Sequence, residues 1–145
     1  MTMEDPYDLQ RFVAAQDAGG TYDHATSELR RGRKASHWMW FIFPQHRSLG
    51  RSAMAKHFGI ASMQEAQAYW QHEVLGPRLQ ECTELVLAVS HKTALQIFGS
   101  PDDLKFHSSM TLFAQAAPDE PVFTHALDKY FSGVHDPRSL ALLAH

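Results

Sequence analysis

A single cysteine, Cys82, occurs among the 145 residues. No disulfide can therefore close within the chain, and a reducing cytoplasm is the expected home. Long apolar runs are missing as well. The longest, Trp38 to Phe43, falls far short of the ~18 residues that a membrane span requires. The start, Met-Thr-Met-Glu-Asp-Pro, is acidic and lacks the basic-then-apolar order of a signal peptide. Ten histidines are present, yet no two stand three or four residues apart, and the lone cysteine cannot complete a zinc motif. No metal or other cofactor is expected. Neither a Gly-x-Ser-x-Gly elbow nor a Walker loop occurs, and there is no repeat, low-complexity tract or linker. Strand signals are nearly absent: only Trp38 to Phe43 reads as a buried extended piece, and a lone strand has no partner.

Acidic residues are missing from one region. Between Leu29 and Gln64 there is no Asp or Glu, while seven of the thirteen Lys and Arg fall there: Arg30, Arg31, Arg33, Lys34, Arg47, Arg51 and Lys56. The remainder sets six basic residues against all sixteen acids. An acidic protein with one basic, aromatic-rich segment points to an anionic partner held near that segment.

What is present reads as helix. A hydrophobic fraction of 44% with 20% charge is that of an ordinary globular domain, and this length fits one domain. Leu9, Phe12, Val13 and Gln16 form one stripe that Gly19-Gly20 ends. Thr21 is expected to cap a second helix with Tyr22, Ala25 and Leu29 on its buried face. Ser62 and Glu65 have the spacing of a capping box. Leu79 to Val89 is apolar almost all round, which favours the central, most buried helix. Thr93 to Phe98 reads as a short turn. Ser100-Pro-Asp-Asp103 is a helix start, with a cap, a proline at the first position and two acids near the positive dipole end. Val122, Phe123, Ala126, Leu127, Tyr130 and Phe131 make the cleanest amphipathic stripe. Asp136-Pro137 opens a short terminal helix. The expected fold is all-α: one compact domain, residues 1–145, of seven to nine short helices, with one irregular aromatic segment around residues 36–51.

The run Gly32-Arg-Lys-Ala-Ser-His-Trp-Met-Trp-Phe-Ile-Phe-Pro-Gln45 resembles a bacterial family catalogued only as a domain of unknown function, numbered eighteen-ten. Leu49-Gly-Arg-Ser52, Val74-Leu-Gly-Pro-Arg-Leu79, Ile97-Phe-Gly-Ser-Pro-Asp-Asp-Leu-Lys105 and Ser108-Ser-Met-Thr-Leu-Phe113 fit it too. The resemblance implies a small, soluble, mostly helical bacterial protein. Some members of that family carry the label calpastatin. It supplies no catalytic residues.

Candidate site residues therefore come from chemistry. Trp38 and Trp40 are read either as core plugs donating their indole N–H groups to backbone, or as faces that stack on a flat ligand such as a base or nicotinamide. Pro44 restricts Phe43 to extended geometry, so this segment is not expected to be helical. His37 follows the basic run and is a candidate general base, against the plainer reading of a backbone-bonded structural histidine. Arg47, Arg51 and Lys56 return after the aromatic block, and Ser48-Leu-Gly-Arg-Ser52 could open a helix whose N-terminus takes a phosphate. Lys105 and Ser109 share a helical face, with Ser108 three residues from Lys105. Asp103 and Lys105 are the preferred acid–base pair. Cys82 is expected to be an inert buried thiol.

The leading function is a site for an anionic, aromatic, nucleotide-like small molecule, hydrolytic if catalytic, with His37, Asp103 and Lys105 in the chemistry. Trp38, Trp40, Gln45, Arg47, Arg51, Ser52, Ser108 and Ser109 would form its walls. The alternatives are a protein-interaction module docking through His37-Trp-Met-Trp40, and a nucleic-acid binder. The net charge of −3 disfavours the last.

Overall fold

Short amphipathic stretches separated by glycine and proline stops fold into a bundle of helices around one continuous core. The structure is a computed structural model and describes residues 5–144. The chain's first four residues, part of the acidic start, lie outside the described residues. In order the helices are α1 Gln10–Asp17, α2 Thr21–Arg30, α3 Met39–Ile42, α4 Ala53–His57, α5 Met63–Gln71, α6 Leu75–Leu87, α7 Ala94–Phe98, α8 Asp102–Ala116, α9 Pro121–Phe131 and α10 Pro137–Leu143. Nine of these are five residues or longer, and α3 is a single turn. No strand occurs among the described residues, only one parallel bridge between His46 and Ile60. The all-α, single-domain expectation stands.

Local chemistry explains most boundaries. The glycines after α1 take left-handed conformations, Gly19 at φ +60° and Gly20 at φ +70°, which side-chain-bearing residues resist. Thr21 is not the cap of α2 but its first residue, and its hydroxyl donates back to Ala18 O. Ser62 caps α5 by accepting from Glu65 N, but the reciprocal half of the capping box is absent. Glu65 turns instead to Ala61 N and Arg11. A complete capping box forms at Thr93 and Gln96, where the sequence suggests only a turn. Pro101 precedes α8 rather than opening it. Asp136 caps α10 through Ser139 N.

Two expectations need correction. The most buried helix is α8, with nine buried residues including Phe106, Met110, Leu112 and Phe113, whereas α6 buries six. Glu81 and Glu84 stay exposed on α6, while α8 packs against α5, α7, α9 and α10. The aromatic segment is not wholly irregular either: Met39 to Ile42 make one helical turn, and Arg47–Leu49 a 3₁₀ turn. Pro44 acts only on the residue before it, and Phe43 has left the helix at φ −125°, ψ 74°.

Candidate functional site

The aromatic segment has few backbone hydrogen bonds of its own, so side chains from α1, α2 and α5 must satisfy it. Glu28 on α2 does most of this. Its carboxylate accepts from Ala35 N (2.7 Å), Ser36 N (2.9 Å), the Ser36 hydroxyl and Trp38 Nε1 (2.9 Å). Burial alone would push this carboxyl up. The bonds from Ser36, Ala35 and Trp38 outweigh it and hold the pKa down at about 2. Farther along, Gln16 Nε2 donates to Phe41 O at 2.7 Å, and Arg78 steadies Gln16 from outside at 3.1 Å.

Two lysines then bracket the two tryptophans. Lys34 Nζ lies 5.2 Å from the Trp38 ring centroid, and Lys105 Nζ lies 5.3 Å from that of Trp40. Both reach one carboxylate: Asp102 Oδ2 is 2.9 Å from Lys34 Nζ, and Oδ1 is 3.4 Å from Lys105 Nζ. Lys105 therefore keeps unused donor capacity, since an ammonium has three N–H groups and this contact is long.

Lys105 and Gln45 line two adjoining spaces. One is an apolar crevice walled by Met39, Trp40, Phe43 and Phe58, with room for about 10 Å³, roughly one water. The other is a cleft of about 360 Å³ bounded by Gln45, Leu49, Leu104, Lys105, Ser108, Asp136 and Arg138. Its far wall is fixed by α10. Asp136 Oδ2 accepts from Ser139 N (3.0 Å) and the Ser139 hydroxyl (2.6 Å), and lies 3.2 Å from Ser108 Oγ. His107 is stacked on Phe131 with centroids 4.0 Å apart, and its Nε2 donates to Val134 O at 2.7 Å.

A second, open groove of about 720 Å³ is lined by Arg47, Ser48, Lys56 and His57. It shares no lining residue with the cleft. His46 shapes its edge by accepting from Ser48 N through Nδ1 at 3.1 Å. Burial lowers the pKa of His46, Arg47 lowers it further, and Glu65 opposes, which favours the neutral acceptor form.

The candidate residues thus separate. Gln45, Lys105 and Ser108 meet at the cleft, with Trp40 half-buried beside it. Arg47 belongs to the other groove; Arg51 is exposed, and Ser52 caps α4 by accepting from Ala55 N. Trp38 is corrected from ligand wall to core: it is 0% exposed and its indole N–H is taken by Glu28. Ser109 is corrected likewise, being 0% exposed, with its hydroxyl facing no partner among the described residues. Lys105 pairs with Asp102, not Asp103, because the i,i+3 step on α8 brings Asp102 within reach. Asp103 keeps one buried carboxylate oxygen without a partner among the described residues and lines neither space. His37 is exposed and lines neither space. Within His37 to Trp40, the segment read as a docking element, only His37 is exposed and Trp40 half-buried, while Trp38 and Met39 are buried. Cys82 is buried, and burial pushes its thiol up to about 12. No metal-binding group of residues occurs among the described residues, and no helix there is long and apolar enough to cross a membrane.

Glu28, Asp102, Asp136 and Arg138 are the polar residues that sequence reasoning missed or undervalued. For Glu28 a signal existed: it sits in the stripe of Ala25 and Leu29, where an acid must be buried and satisfied. For Asp136 and Arg138 there was none, because α10 meets α8 only in three dimensions.

No curated protein matches the chain. A crystal structure of the conserved hypothetical protein Rv1873 from Mycobacterium tuberculosis is similar at 55% identity, over 97% of this chain and 99% of that one, with a TM-score of 0.94. The family model described as "Protein of unknown function (DUF1810)" matches residues 6–143. The chain thus belongs to the DUF1810 family, whose description names no activity.

Proposed function

We propose that the cleft between α8, α10 and the turn after Pro44 binds a small anionic molecule of nucleotide-like size. The observation that carries this reading is the state of Lys105. It is three-quarters buried along its side chain, and its single carboxylate contact, at 3.4 Å, is to an Asp102 already held by Lys34 at 2.9 Å. An ammonium so placed favours an added anion over further desolvation. Arg138 brings a second cation to the same cleft, Gln45 and Ser108 supply orienting polar groups, and Leu49 and Leu104 give apolar walls. The lining is more polar than that of most ligand sites, as a charged ligand requires, and the volume lies within the usual range. The half-buried Trp40 ring, with Lys105 above it, offers an edge for a flat group. The reading is binding rather than turnover, because the cleft's carboxylate, Asp136, is engaged in capping α10.

A thermal-shift screen with nucleotides, ADP-ribose, NAD-related compounds and sugar phosphates tests it. A ligand at a hundred times its dissociation constant adds about 2.7 kcal/mol, a shift of several degrees. The Lys105→Ala variant should stay folded and lose that shift. An equal shift in wild type and variant would remove this site.

A further inference from the structure

We propose that the groove of Arg47, Ser48, Lys56 and His57 is a second anion site, built for a run of linked phosphates. The proposal does not rest on the cleft, with which the groove shares no lining residue.

The first argument is unanswered charge gathered in one place. Among the described residues four of the thirteen Lys and Arg, namely Arg11, Lys34, Arg78 and Lys105, are in ion pairs. Arg47 and Lys56 are among the nine that are not, and these two line the same groove. The adjoining hollow contains Glu65, but its oxygens are committed to Arg11 Nη2 (2.8 Å) and Ala61 N (3.0 Å). Asp8 borders the same hollow without an ion pair to either cation. No acid occurs between residues 29 and 64 to neutralise them.

The second argument is that the backbone beneath these cations is fixed. Arg47 N donates to Ile60 O (2.8 Å) and Ile60 N to Gln45 O (2.9 Å), joining the turn to the segment after α4. Gly59 makes this approach possible: a Cβ there would lie 2.4 Å from Arg47 Cα. The main chain carrying Arg47 and Lys56, nine residues apart in sequence, is thus fixed on one groove, while their exposed side chains stay free to reach an anion. The Ser48 hydroxyl and the His57 ring complete a set of donors suited to oxyanions.

Charge density selects the occupant. Exposed cations interact weakly with a singly charged anion in water, so a carboxylate would not stay. Linked phosphates bring several charges to both cations at once, and the Arg47 guanidinium can engage two oxygens together. A long nucleic acid fits less well, because outside residues 29–64 six basic residues face sixteen acids and would repel a polymer leaving the groove.

Calorimetric titration with tripolyphosphate, at 50 mM and 200 mM salt, tests the proposal. One saturable site is expected, weakened at the higher salt. Arg47→Gln with Lys56→Gln should weaken it at least tenfold. Lys105→Ala should leave it unchanged, which separates this site from the cleft. Arg30→Gln with Arg31→Gln removes equal charge from the exposed end of α2 and should also leave it unchanged. Unaltered binding in the Arg47/Lys56 variant, or equal losses in both double variants, would overturn the proposal. So would affinity for single-stranded oligonucleotides that exceeds tripolyphosphate and grows with length. A nucleoside triphosphate binding like tripolyphosphate shows that the phosphate chain alone is read. Tighter binding that still depends on Arg47 and Lys56 shows a base seated beside it.

Discussion

Trp38 and Trp40 are two residues apart in the same motif, each under a lysine ammonium, and both lysines reach Asp102. Their environments nevertheless diverge. Trp38 is wholly buried, its indole N–H is satisfied by Glu28, and the lysine above it is itself nearly enclosed, with 9% of its side chain exposed. Trp40 is half-buried beside a cleft, and its lysine is 25% exposed, with the longer of the two contacts to Asp102. The closed joint sits at the residue that caps the turn Met39 to Ile42, and the open one at a residue inside that turn. The lesson is that identical residue types acquire structural or binding character according to how completely their polar groups are satisfied.

The largest effect expected from this contrast is on stability. Trp38→Ala should cost roughly 3–5 kcal/mol in urea unfolding, the range for truncating a large buried aromatic. Trp40→Ala should cost roughly 1–2 kcal/mol, in proportion to its smaller burial. Equal costs would break the contrast.

Glu28 gives the next effect. Its folded pKa of about 2 lies below the ordinary value of 4.5. A depressed carboxyl contributes stability that is fully present above the ordinary pKa and is lost as pH falls through the folded one. The contribution is about 3 kcal/mol, disappearing between roughly pH 5 and 2. Glu28→Gln should destabilise the protein at neutral pH and flatten this part of its acid denaturation curve. An unchanged curve would show that another group carries the acid sensitivity.

The smallest effect is spectroscopic. A variant keeping only Trp38 should emit at short wavelength and resist iodide quenching, whereas one keeping only Trp40 should be quenched. Similar quenching in both would mean that the closed joint opens readily.

Much of the fold was legible in advance, for reasons visible in particular segments. The stripe from Val122 to Phe131 packs as its spacing implies, and Asp136-Pro137 opens α10 as a cap followed by proline should. The ranking of α6 over α8 failed because apolar density along one helix does not reveal how many neighbours will cover it. The candidate site was partly legible. Gln45, Lys105 and Ser108 share the cleft, but the basic segment that seemed to be one feature is divided, with Arg47 in a different groove and Arg30, Arg31 and Arg33 exposed at and just beyond the end of α2.

The sequence by itself determined the helical class, the short elements and most of their stops, because periodicity, caps and glycine or proline breaks act over a few residues. It also determined that cations and aromatics would concentrate between residues 29 and 64. Only the tertiary structure decided which tryptophan is core, which lysine keeps spare donors and which carboxylate joins them. Those outcomes depend on Glu28, Asp102 and Asp136 arriving from other helices to satisfy, or leave partly unsatisfied, polar groups distant in sequence. Hydrogen-bond satisfaction in a buried interior is a property of the assembled fold.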